Sequence, residues 1–199
     1  MVAAGFSRIL KGRPIALVLL ATTVCGMADA AVHGPRTPFT ACLDYHCDRQ
    51  QRVVLSDRDW QDLGALFPPG LDAPAERAAI RRAIALFEQR VGAVTGTWRD
   101  LGENAAGAGL PGQLDCIAES RNTTTYLRLL ADAGLLHWHQ VLERVRRQRW
   151  IFAIHWTAVI RDTSTGATYA VDSWPLDNGQ PPYIQPLDAW RHGVDFDAG

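Results

Sequence analysis

The sequence predicts an α+β fold, and three observations predict it. Apolar residues recur at helical spacing between residues 56 and 134, they change to strand-like runs between 141 and 174, and the helical part comes first. Helices followed by adjacent strands give an antiparallel sheet with helices packed on it, whereas a parallel sheet needs alternating units.

At the N-terminus, Arg8, Lys11 and Arg13 precede an apolar run from Ile15 to Met27, and Ala28-Asp29-Ala30 follows. This is the layout of a cleavable secretory signal over residues 1–30, cut near Ala30, and the run is short for a membrane span of about 20 residues. Val24 stands where a lipidated cysteine would need a small residue before Cys25, so a lipid anchor is the weaker reading. The expectation is a periplasmic or secreted protein with no stable membrane anchor after cleavage. Removing Arg8, Lys11, Arg13 and Asp29 leaves 17 basic and 20 acidic side chains, a net charge of −3, which argues against nucleic-acid binding. Residues 31–199 then suit one domain with its own core.

Lys11 is the only lysine in the chain. Schiff-base, serine–lysine and phosphate-loop chemistries are thereby excluded from residues 31–199.

Residues 31–55 carry Pro35, Pro38 and the pair Cys42 and Cys47 without periodicity, and are expected to form an extended arm. Ser56 begins Ser-Asp-Arg-Asp, a hydroxyl cap with an acid three residues on, ahead of a short helix ending near Phe67-Pro68-Pro69. Asp72 and Pro74 start a second helix in which Ile80, Ile84, Phe87 and Val91 make one buried stripe. From Gly96 to Gly112 five glycines mark a long loop, suited to shaping a cleft. Asp115 caps a third helix from Cys116 to a stop at Gly134, with a helix-averse run at Thr123, Thr124 and Thr125. Val141 to Val145 and Trp150 to Ile160 read as strands, Thr163 to Gly166 as a turn, and Ala167 to Trp174 as the returning strand.

The cysteines beyond residue 30 are Cys42, Cys47 and Cys116, an odd number outside the reducing cytosol. Cys42 and Cys47 can close a small disulfide loop, can join His46 at a metal, or can remain two unlinked buried thiols. The first option leaves Cys116 free, in the first turn of a helix, where unpaired N–H groups and the helix dipole favour the thiolate. His155 and Asp172 lie on adjacent strands. A four-residue turn at 163–166 pairs position 157 with 172, which sets Asp172 diagonal to His155 on one face. A thiolate that attacks an acyl carbon, an imidazole that moves the proton and a carboxylate that orients the imidazole need this set. Backbone N–H groups around Cys116, and the amide of Gln113, are candidate oxyanion donors; Gln113 reads equally as a polar loop residue.

His137 and His139 alternate on one strand face without an evident carboxylate partner, so no metal and no cofactor are expected. Arg144, Arg146, Arg147 and Arg149 are expected to be a solvated hairpin end rather than an anion site. Trp138, Trp150, Trp156 and Trp174 fall near the sheet as core and cleft wall. Asn122-Thr123-Thr124 fits a glycosylation sequon but sits inside a helix.

Cysteine at a helix start, histidine in a later strand and aspartate in the next strand resemble the core of the transglutaminase-like superfamily, including bacterial transglutaminase-like cysteine peptidases of the papain-like class. The wording GQLDCIAESRNTTTYL, IHWTAVI and YAVDSW followed by DNG also resembles an exported proteobacterial family. The resemblance spans residues 116–172, within a core at 114–199 that follows the arm, helices and loop of 31–113. It implies a Cys116-His155-Asp172 triad and a thioester resolved by water or an amine. A peptide, protein amide or envelope component is then the expected partner. The competing expectation is a non-catalytic binding module that uses the same groove to hold a peptide.

Overall fold

The computed structural model describes Met1, residues 34–149 and residues 153–193. The expected signal segment, and Trp150, lie outside the described residues. The chain divides after Ala30, and every element below belongs to the second unit, which begins at Ala31.

The order is β1 (Phe39–Cys42), β2 (Gln50–Val53), α1 (Asp57–Gly64), α2 (Ala73–Thr95), α3 (Cys116–Asp132), β3 (His139–Arg149), β4 (Ala153–Asp162), β5 (Thr168–Asp172), β6 (Tyr183–Pro186) and α4 (Leu187–His192). This is the expected α+β order: helices first, then a four-stranded antiparallel sheet with α3 against it. One expectation fails. Residues 39–53 are a two-stranded hairpin rather than an extended arm, because Phe39, Ala41 and Val53 bury their side chains and a Cys42–Cys47 disulfide ties the loop between the strands.

Local chemistry sets the helix starts. Ser56 and Asp59 make a reciprocal capping box for α1; Asp72 accepts from the Ala75 N–H and Pro74 occupies the first turn of α2. Gly96 ends α2 with φ of 87°, a left-handed conformation that a side chain would strain. The stripe of Ile80, Ile84, Phe87 and Val91 is fully buried. Phe87 stacks on Tyr126 of α3 at 4.8 Å between ring centroids and meets Trp60 of α1 edge-on, so three helices share one aromatic core.

The sheet has the order β3-β4-β5-β6. β4 and β5 pair Ala158 with Val171, Val159 with Ala170 and Ile160 with Tyr169, the register that the four-residue turn predicts. Alternation divides the faces: Ala158, Ile160 and Val171 join the α2/α3 core, whereas Val159 and Ala170 pack with Leu187 and Trp190 of α4. A register shift between Leu142 and Val145 of β3 marks a bulge beside Arg144.

Candidate active site

α3 begins at Cys116 because Asp115, in extended backbone, accepts the Ala118 N–H at 2.9 Å and satisfies one donor of the first turn. The Cys116 thiol is the free one among the described cysteines; it is partly exposed and lies 3.8 Å from the Ile154 carbonyl oxygen. The next residue is His155. Its Nε2 lies 2.6 Å from Asp172 Oδ2, with Asp172 only 2% exposed. That leaves Nδ1 unengaged by Asp172, and Cys116 lies near enough to the ring to help raise its pKa.

The approach differs from a helix lying over the histidine's own face. Register places His155 and Asp172 on the face that α4 covers, whereas α3 covers the other. β5 pairing with β4 stops at Ala158 and Val171, so His155 projects beyond the paired region, and the first turn of α3 meets it around the end of β5. The three residues expected from the sequence therefore come together at a strand end.

His155 is held charged. Burial opposes the imidazolium, but hydrogen bonds to Asp172 and Cys116, and the negative charge of both, outweigh it and push the ring up to about 9. Two indoles enclose the ring: Trp174 at 5.0 Å and Trp190 at 5.6 Å between centroids. Trp190 also donates its Nε1–H to Asp172 Oδ2 at 2.7 Å, so one carboxylate oxygen receives both the imidazole and the indole. Sequence reasoning missed Trp190; it arrives from a six-residue helix whose N-cap has no side-chain hydrogen bond, and periodicity carries no signal there.

Gln113 Nε2 donates to the Arg99 carbonyl, and its Oε1 accepts from Asn104 at 2.8 Å. The amide pins the glycine-rich loop, the polar loop role that the sequence offered beside the oxyanion one. That loop is further held by Asp100, whose Oδ1 accepts the Leu114 N–H and the Asn104 amide, both at 2.8 Å. Cys42 and Cys47 are bonded and pack with Leu114 and Ala118, bracing the α3 start. His46 stands 3.6 Å from Asp115, not at a metal; among the described residues no group of three or more His, Cys, Asp or Glu could hold one. His139 is buried against Glu76 at 2.9 Å.

Behind the site lie three buried acids that the sequence did not single out. Burial raises Glu88 to about 7 and Asp100 to about 6, and lifts Glu119 well above the carboxylate range, helped by the charges of Glu88 and Asp100. Glu88 accepts the Gly179 N–H at 2.8 Å, and the Glu119 and Asp100 carboxyls lie close enough for each to shift the other.

No family model, curated protein or solved structure matches this chain.

Proposed function

We propose that this protein is an exported cysteine-dependent acyl-transfer enzyme, a peptidase, amidase or transglutaminase-like catalyst acting on peptide or protein amides. The observation that carries the reading is the His155–Asp172 pair at 2.6 Å, with the partly exposed Cys116 sulfur at a helix start 3.8 Å from the carbonyl of the residue before His155. The Cys42–Cys47 disulfide supports an oxidising compartment.

The chemistry runs as follows. The Cys116 sulfur, its proton on His155, attacks the carbonyl carbon, and the C=O pair moves onto oxygen. The Cys116 backbone N–H, beside the reacting sulfur at the positive end of α3, is the donor suited to that oxyanion. As the oxyanion collapses, the C–N bond breaks, the imidazolium passes its proton to the departing nitrogen, and a thioester forms. Water or an amine then attacks the thioester while His155 takes a proton from it, and the thiolate leaves. Asp172 holds the ring orientation and its charge throughout; Trp190 holds Asp172.

The test is a screen of peptide and protein amides for hydrolysis and for incorporation of a labelled amine. Cys116→Ala is expected to abolish whatever turnover the screen finds. Turnover unchanged in Cys116→Ala removes the mechanism.

A further inference from the structure

The arginine cluster of β3 is not a uniformly solvated hairpin end. Arg147 lies over the Trp190 ring at 4.6 Å and donates to the Trp190 carbonyl. Arg144, turned by the bulge, lies over Trp156 at 4.3 Å and reaches the first turns of α3, donating to Ser120 Oγ at 3.1 Å and Ile117 O at 3.4 Å. Ile117 is the residue after the nucleophile. One turn on, Arg121 donates only weakly, to the His46 carbonyl at 3.4 Å.

Arg121 and Arg144 both line one cavity of about 220 Å³, beside the Cys42–Cys47 disulfide; Cys116 is outside that lining, and Arg144 connects the two through its bonds to Ile117 and Ser120. Two other charges line it, Arg128 and Glu143, and these pair with each other. Among the described residues no ion pair joins Arg121 or Arg144 to a carboxylate; burial and then the charge of Arg121 lower the Arg144 guanidinium from its ordinary value, against the opposing charges of Cys116, Asp115 and Glu143. The Asp115 carboxylate, near enough to Arg144 to act on its charge, is already engaged as the helix cap. Two like charges line one cavity in which Glu143 is taken up by Arg128 and Asp115 by the helix cap, and an added anion can answer both.

We propose that Arg144 and Arg121 form a carboxylate subsite beside Cys116, so that the preferred acyl donor carries a free carboxylate close to the scissile carbonyl. This rests on the acyl-transfer reading and adds the substrate class to it. The spacing supports a carboxylate on the residue at the scissile bond: Arg144 bonds the helix one residue and one turn beyond Cys116, and a helical turn is about 5 Å. The planar fork of each guanidinium suits a carboxylate's two oxygens.

A pair of alkylating reagents of nearly equal size tests the subsite without knowledge of the substrate. Cys116 is alkylated in the full chain with iodoacetate and with iodoacetamide, and the ratio of the two rate constants is compared with that of free cysteine. Because the ratio is taken within one protein, changes in thiol reactivity itself cancel. The expected ratio favours iodoacetate about tenfold more than free cysteine does, and falls toward the free value as salt rises. The His155 imidazolium also attracts an anion, so dependence on the arginines decides the matter. Arg121→Gln, at an exposed position, and Arg144→Met, which keeps apolar contact with Trp156, are each expected to reduce the preference severalfold; Arg144→Lys is expected to restore part of it. If the preference survives both charge removals, or is absent in the parent protein with a reactive thiol, the subsite is overturned while the acyl-transfer reading stands. A thiol inert to both reagents overturns both.

Discussion

At the scale of single residues, His155 is decided by its neighbours rather than by its burial. The Asp172 hydrogen bond and charge, with those of Cys116, hold its proton up to about 9 against an ordinary value of 6.5. The ring is therefore charged below about 9 and loses its proton above it, and the alkaline limb of kcat/KM is expected there, since the imidazolium must supply the leaving-group proton. Asp172→Asn removes the charge and the acceptor that favours the imidazolium. The His155 titration, followed by NMR of the imidazole, is expected to move down toward 6.5, and kcat/KM to fall by about 10² to 10⁴. A titration unmoved by Asp172→Asn would separate the carboxylate from the histidine and undo the triad. Cys116, His155 and Asp172 were all legible in the sequence, because capping chemistry and strand parity act over short stretches of chain. Trp190 was not, since its contact with Asp172 depends on where α4 lands, and Gln113 was left between two roles because its bonds to the Arg99 carbonyl and the Asn104 amide depend on how the loop folds.

At the scale of elements, the long helices and the β4–β5 register were legible, since each is governed by one local rule: a stripe at 80, 84, 87 and 91, or a turn of four residues. The β1–β2 hairpin was not. β2 presents Gln50, Gln51 and Arg52 in succession, all exposed, so no period of two exists to be read, and the disulfide supplies the constraint instead. α2 has a second task that its apolar stripe does not announce. Glu88 reaches from it to the segment after β5, accepting the Gly179 N–H, which ties down the chain that follows Asp172. Its other oxygen, Oε1, has no hydrogen-bond partner among the described residues, and burial raises the group to about 7. Glu88→Gln keeps an acceptor for Gly179 and removes the charge. It is expected to leave the melting temperature nearly unchanged at pH 4, below the ordinary value of 4.5, where the carboxyl is largely protonated in both states. At pH 8 it is expected to raise the melting temperature by several degrees, at roughly 2–4 °C per kcal/mol. Equal effects at the two pH values would show that Glu88 is not a buried, neutral acid.

At the scale of the whole molecule, the titrating groups pull stability in one direction over most of the pH range. Glu88, Asp100 and Glu119 hold protons in the folded state that the unfolded chain releases near its ordinary carboxylate values. His155 does the same between 6.5 and about 9. In each case the folded state binds more protons than the unfolded one, so stability falls as pH rises through the window between the two values. For Glu88 alone, the interval from 4.5 to about 7 corresponds to on the order of 3 kcal/mol. The opposite sign belongs to a network at the other end of the sheet. Burial alone would raise Glu76, but its bonds from the His139 ring and from the His137 and Trp138 N–H groups lower it. The Ser164 hydroxyl and the N–H groups of Thr165 and Ser164 outweigh the burial of Asp162 and take it down to about 2. These two stabilise above the ordinary carboxylate values, and that stabilisation is lost as pH falls through their lowered ones. The acid limb thus comes from the α2–β3 junction and the alkaline limb from the ground behind Cys116. Melting followed by circular dichroism from pH 3 to pH 10 is expected to peak near pH 4 and to decline steadily to pH 9. Asp162→Asn should lower the melting temperature above about pH 4 and so flatten the acid limb, and Glu88→Gln should flatten the alkaline limb. A melting temperature that climbs between pH 5 and pH 8 would mean that the acids behind the nucleophile are ionised and solvated, and that the site rests on a different interior from the one these residues build.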